Sequence, residues 1–219
     1  MKYPYILFDL DGTLTDPAVG ICGSIMYALE KGGYPVGEMQ DYYPFIGPPL
    51  MESFMLYCGL DEGEAQRLTQ LYRERYAAVG LYENTVYPGI PALLAALRDV
   101  GTTLLLATNK PDVFAKKILE HFGLAEYFHF VAGSALSGER GSKAEVIAYA
   151  LAQQGSPPAA SCVMVGDRRH DGEGARQNGI DFVGVLYGYG DREELTAAGA
   201  AEIVKSVPAL HHLLFLKEK

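Results

Sequence analysis

The segment "FDLDGTLTD" places two carboxylates, Asp9 and Asp11, where the apolar run from Tyr5 to Leu10 should close a buried strand. An ionised carboxylate taken out of water without a partner either costs several kcal/mol or protonates. Asp11-Gly12 alone could be a turn that stops the strand. That leaves Asp9 unexplained, whereas a bound cation accounts for both. Three other places have the same character. Thr108-Asn109-Lys110 follows an apolar run, Gly166-Asp167 follows "CVMV" with Asp171 one helical turn beyond, and Lys143 opens a helical pattern in "GSKAEVIAYAL". Acids from two separated strand ends suit one hard cation such as Mg²⁺, which takes oxygen ligands and commonly sits between carboxylates and a phosphate. Hydroxyl, amide and ammonium donors would then face the remaining phosphate oxygens. Each piece also has an ordinary reading: Thr108-Asn109 as a turn, Asp171 as a helix-start acid, Lys143 as a solvated charge. Core packing alone does not account for all of them at one edge of a sheet.

The elements that would position these groups are legible. From Pro88 onward, short apolar runs at 102–108, 128–133, 162–167, 182–188 and 201–204 alternate with helical patterns. "PGIPALLAALRDVG" and "PDVFAKKILEHFG" begin at proline and end at glycine, and Ser142-x-x-Glu145 and Asp191-x-x-Glu194 read as capping boxes. Such alternation predicts an α/β fold: a Rossmann-like parallel sheet with helices on both faces, and ligands beyond the carboxyl ends of the strands. Residues 17–84 interrupt the rhythm, with helical patterns and no convincing strand. We read them as an all-helical insertion, with residues 1–16 and 85–219 as the α/β core and hinges at 15–17 and 84–88. Leu68, Leu71, Tyr72 and Tyr76 fall at helical spacing and are read as packing.

Composition narrows the function classes. The chain has 219 residues, a formal net charge of -9 and 18 scattered Lys and Arg. It therefore lacks the basic footprint of a nucleic-acid or anionic-membrane binder. No apolar run approaches the roughly 18 residues of a membrane span. Cys22, Cys58 and Cys162 lie far apart without metal-ligand spacing and are read as small apolar residues in a reducing, cytoplasmic setting. The histidines show no metal spacing. "YGYGDREEL" at 187–195 is read as a turn and helix cap, since it lacks a full phosphate-loop pattern.

At these residues the chain resembles the haloacid dehalogenase superfamily. "FDLDGTLTD", "LLLATNK", Lys143 and "VGDRRHD" match its four motifs, and the insertion resembles the helical cap of one of its branches. The resemblance implies Asp9 as nucleophile, Asp11 as general acid and base, and Thr108, Asn109 and Lys143 as groups around the phosphoryl. It implies Asp167 as a Mg²⁺ ligand beside the Asp9 carboxylate and the Asp11 backbone carbonyl, with Asp171 in support. An acid two residues after the nucleophile points to phosphate rather than halide chemistry. "YPGIPALLAALRDVG" looks most like the phosphoglycolate phosphatase branch, and "PFIGPPLMESF" like its substrate-facing loop, with Gly47 nearest the substrate. Lys143 is followed by Ala-Glu-Val where that branch carries prolines, and Arg168-Arg169-His170 stands between the last two acids. A nucleoside monophosphate phosphatase is therefore an alternative reading, as is a sugar-phosphate mutase; a non-enzymatic binding protein would have little reason to keep costly buried charges. The expected partner is a small phosphorylated metabolite.

Overall fold

The computed structural model describes residues 2–136 and 139–216. Its elements run β1 (Tyr5–Phe8), β2 (Thr15–Asp16), α1 (Ala18–Gly32), α2 (Leu50–Cys58), α3 (Glu62–Arg75), β3 (Thr85–Val86) and α4 (Ile90–Asp99). There follow β4 (Thr103–Pro111), α5 (Asp112–His121), β5 (Phe130–Ser134), α6 (Lys143–Ala152), β6 (Cys162–Gly166) and α7 (Arg169–Gln177). The chain closes with β7 (Asp181–Val185), α8 (Arg192–Ala197), β8 (Glu202–Val204) and α9 (Val207–Phe215). Six strands form one parallel sheet in the order β5-β4-β1-β6-β7-β8, while β2 and β3 pair separately.

The sheet order places β1 at the reversal point. The chain builds outward from β1 through β4 to β5, then returns to β1's other side for β6, β7 and β8. In such sheets the crevice beyond the strand ends opens at this reversal. Ile6, Leu7 and Phe8 are all buried, as are Leu104 to Ala107 and Cys162 to Val165. Burial of both alternating sets means that both sheet faces are covered, as parallel sheets require. On one face Leu7, Leu105, Ala107 and Met164 pack with Val146, Ile147 and Ala150 of α6 and Ala175 of α7. That packing sets the start of α6, and with it Lys143, at the sheet edge.

The chain divides into two compact units, Met1–Thr15 with Val86–Lys219, and Asp16–Thr85. The second is helical. Its interior is built from Cys22, Ile25 and Leu29 of α1, Phe54 of α2 and Leu68 and Tyr72 of α3, with Phe45 set edge-on to Phe54 at 5.5 Å. Tyr76 is buried and Leu71 only partly so. Asp61 caps α3 by accepting from the Glu64 amide, but Glu64 turns to Arg67 and Tyr34 instead of completing a capping box.

Two strand ends differ from the sequence reading. β1 stops at Phe8, so Asp9 opens the following turn instead of lying within the strand. β4 continues to Pro111, and its register with β5 slips between Ala107 and Pro111. The shifted stretch covers Thr108, Asn109 and Lys110.

Candidate active site

Asp9 continues the ladder one residue past β1, its amide donating to Val165 O at 2.9 Å. The chain then folds back, with Leu14 N and Thr15 N both donating to Leu10 O and Gly12 N to Thr15 O. Gly12 holds φ at +81°, and a Cβ there would overlap the Asp167 carboxylate. Glycine is thus needed twice over, for the turn and for the approach of β6's end to it.

Lys143 begins α6 behind a complete capping box, in which Ser142 accepts from the Glu145 amide and Glu145 accepts from the Ser142 amide. Its ammonium lies 2.8 Å from Asp9 Oδ1, 2.8 Å from Asp171 Oδ1 and 3.0 Å from the Ala107 carbonyl it donates to. Lys110 lies 2.8 Å from Asp11 Oδ2. The two acids of "DLD" therefore have different cationic partners, delivered by different elements. Asp11 Oδ1 is buried and accepts no hydrogen bond. Asp167, at the end of β6, accepts from the Tyr189 amide at 2.7 Å and from Thr13 Oγ1 at 3.4 Å. Asp171, in the first turn of α7, accepts from the Arg168 amide at 3.0 Å.

Every buried Asp, Glu, Lys or Arg side chain among the described residues belongs to this cluster: Asp9, Asp11, Lys110, Lys143, Asp167 and Asp171. Four carboxylates face two ammonium groups, a formal excess of two negative charges. The protonation equilibria register that excess. Burial pushes Asp167 well above the ordinary carboxylate range, and the Asp171 and Asp9 charges push the same way. Burial raises Asp171 to about 6 against the opposing pull of Lys143. Burial also raises Asp11, with Lys110 opposing. For Lys143, burial alone would lower the pKa, but Asp171 and Asp9 together overcome it and keep the ammonium charged. Carboxyl oxygens of Asp9, Asp167 and Asp171 all lie within 4.8 Å of one another. An all-oxygen donor set with two uncompensated negative charges fits a hard divalent cation.

Thr108 is buried at the end of β4, its Oγ1 accepting from the Lys110 amide at 3.3 Å, and the Asn109 carbonyl accepts from Ser134 Oγ at 2.8 Å. Gly47 lies in the helical unit, in a left-handed turn at φ +102° before α2. His170 faces Glu173 at 4.0 Å, and burial with the neighbouring Arg169 holds its pKa below the ordinary value, so it is neutral at pH 7. Sequence reading grouped Lys110 with Thr108 and Asn109 at one strand end but did not pair it with Asp11, and it assigned no role to Thr13 or Tyr189. Lys110 lies where β4 shifts register against β5, which no side-chain pattern announces, and Tyr189 acts through its backbone. Asp191 caps α8 by accepting from the Glu194 amide, while Glu194 bonds Arg168 and the Arg169 amide instead of closing the expected box.

A family model described as haloacid dehalogenase-like hydrolase matches residues 6–185. The chain belongs to that family. Within it, the chain is 45% identical to a 5'-nucleotidase of Pseudomonas aeruginosa over 98% of this chain and 96% of that one. It is 30% identical to a phosphoglycolate phosphatase of Vibrio parahaemolyticus over 94% and 93% of the two chains. It is also 45% identical to the tyrosine-protein kinase PtkA of Mycobacterium tuberculosis over 84% of this chain, but only 62% of that longer protein. The crystal structure of a predicted phosphatase from Clostridium acetobutylicum superposes with a TM-score of 0.94 at 46% identity, covering 98% and 99% of the two chains. This haloacid dehalogenase-like chain is thus a phosphatase-type enzyme, a phosphoric monoester hydrolase with the Rossmann-like fold expected from its alternating strands and helices. No helix among the described residues is long and apolar enough to cross a membrane.

Proposed function

We propose that the chain hydrolyses a small phosphomonoester with Mg²⁺ through a phosphoryl group carried on Asp9. The observation that carries this reading is the buried cluster itself, with acids and lysines divided into separate pairs and a charge excess equal to one divalent cation. Asp9 and Asp167 would hold the cation with the Asp11 backbone carbonyl, and Asp171 would support them. When bound, the cation screens the repulsion between the attacking carboxylate and the phosphate.

In the first half-reaction an Asp9 oxygen forms a bond to phosphorus and the ester oxygen departs, taking a proton from Asp11. In the second, Asp11 takes a proton from water as the water oxygen attacks phosphorus and the Asp9–phosphorus bond breaks. The unpartnered Asp11 Oδ1 is the oxygen free for that proton, since Oδ2 is held by Lys110. Lys143 offsets charge on Asp9 and on the transferring group, with Thr108 and Asn109 assigned to the phosphate oxygens. We read the helical unit as the cap that restricts substrates to small molecules, with Gly47 as its substrate-side residue.

A second reading concerns substrate class. The 45% identity to a 5'-nucleotidase across nearly the whole chain favours a nucleoside monophosphate over phosphoglycolate. The test is phosphate release from a panel of 5'-nucleoside monophosphates and 2-phosphoglycolate, with Mg²⁺ or with excess chelator. Release that needs Mg²⁺ and vanishes in Asp9→Asn is expected. Full turnover in chelator would sink the cation assignment, and substrate phosphate appearing on a second substrate or on protein, with none in water, would sink hydrolysis.

A further inference from the structure

The turn at 187–190, which the reaction scheme leaves unused, wraps the Asp167 carboxylate. The Tyr189 amide donates to Asp167 Oδ2 at 2.7 Å. Tyr187 Oη donates to the Thr13 carbonyl at 3.1 Å, and Thr13 Oγ1 donates to Asp167 Oδ1 at 3.4 Å. Tyr187, Thr13, Asp167 and Tyr189 therefore form a closed circuit, completed through the backbone of Gly188. Neither flanking glycine has room for a side chain. A Cβ on Gly188 would overlap the Gly12 carbonyl and the Asp167 carboxylate, and one on Gly190 would overlap the Asp167 carbonyl. The Tyr187 ring is held in turn by Tyr87, edge-on at 5.0 Å. The two glycines in "YGYG" mark close approach to another backbone rather than a free turn.

We propose that the turn Tyr187–Gly190 is a positioning element for the cation site: it sets the Asp167 carboxylate and ties it to the 11–15 turn before any cation arrives. The inference rests on the reading of Asp9, Asp167 and Asp171 as a cation site. Both Asp167 oxygens already have one neutral donor, so the carboxylate plane is fixed while each oxygen keeps acceptor capacity. Groups that orient a metal ligand in this way typically change metal affinity about 10- to 100-fold when removed. Because the contacts of Tyr187 and Gly188 run to Thr13, Gly12 and Asp167, the expected loss is in cation affinity and not in substrate KM at saturating cation.

The test is calorimetric titration of Mg²⁺ into the chelator-stripped, full-length protein, compared among parent, Tyr187→Phe, Gly188→Ala and Ser206→Ala. Ser206 caps α9, accepting from the Ala209 amide, and reports general destabilisation away from the turn. Tyr187→Phe, which removes one donor and keeps the ring, is expected to weaken Mg²⁺ about 5-fold, and Gly188→Ala at least 10-fold. Substrate KM measured at saturating Mg²⁺ is expected to stay within twofold, as is the Mg²⁺ affinity of Ser206→Ala. Parent-like Mg²⁺ affinity in Tyr187→Phe overturns the inference even if Gly188→Ala fails to fold. So does an equal loss in Ser206→Ala. A parent that binds no Mg²⁺ overturns the phosphatase reading as well, which separates the two failures.

Discussion

Lys110→Met isolates the charge that faces Asp11 while keeping the length and apolar stem of the side chain. At 2.8 Å, with both side chains nearly excluded from water, the pair's Coulomb energy is about 6 kcal/mol at an effective dielectric of 20. The net effect is smaller, because the ammonium also gives up hydration to enter the cluster. Known shifts for a carboxylate beside a cation bound the Asp11 change at about 1–3 pKa units, or about 1.4–4 kcal/mol. The sign follows from burial, which already raises Asp11 against the pull of Lys110. Without that pull the folded-state pKa rises further, so the folded variant holds its proton over a wider range than the parent. The stability gap should therefore be smallest at acid pH where Asp11 is protonated in both folded proteins, widen as pH rises from the parent's folded pKa to the variant's, and level off above that. Denaturant unfolding in chelator at pH steps from 4 to 8 reads this gap directly. The acid limb of turnover with an aryl phosphate, for which water activation by Asp11 limits the rate, should move to higher pH by the same 1–3 units, roughly. A gap that stays constant from pH 4 to 8 would mean that Lys110 only packs, and would refute its control of Asp11.

Three other expectations concern the same cluster. Asp11→Asn should release about one equivalent of phenolate per enzyme from an aryl phosphate before slow turnover, and none from an alkyl phosphate, in rapid-quench kinetics; unchanged alkyl turnover would remove Asp11 as the acid. Asp171, raised to about 6 by burial, should make metal-free protein lose stability as pH rises from the ordinary carboxylate range through that value. The thermal shift on adding Mg²⁺ should then be larger at pH 7 than at pH 5, by roughly 3–5 °C in a scanning melt, and equal shifts would count against cation binding there. Gly12→Ala must hold alanine at φ +81° against Asp167, and should cost about 1–3 kcal/mol in urea unfolding together with most cation affinity.

Much of this arrangement was legible because buried charge is expensive. Asp9 and Asp167 stand out as acids at the ends of apolar runs, with Asp171 one helical turn beyond, and the alternation of runs and helices places those ends at one sheet edge. Lys143 was legible as the first residue of a capped helix. The pairing of Lys110 with Asp11 was not, because Lys110 lies where β4 shifts register against β5, a feature set by strand pairing instead of by local pattern. The turn at 187–190 was half legible: its glycines marked a turn, but not what they approach, which is Gly12 for Gly188, more than 170 residues away in sequence, and the Asp167 backbone for Gly190. The end of β1 at Phe8 was misplaced by two residues because Leu10 is buried in the turn as completely as a strand residue would be.

The central position of β1 also governs how the chain can assemble. Among the strands of this sheet it comes first in sequence, yet its two neighbours, β4 and β6, come from the middle and the last third of the chain. During synthesis "YILF" must wait unpaired, and an unpaired apolar strand is a template for association with other chains. The carboxylates that follow it directly, at 9 and 11, are hydrated in that interval and act as charged gatekeepers. Their mutual repulsion with Asp167 and Asp171 is met only when β6 docks beside β1, so the electrostatic cost of the site falls on that step.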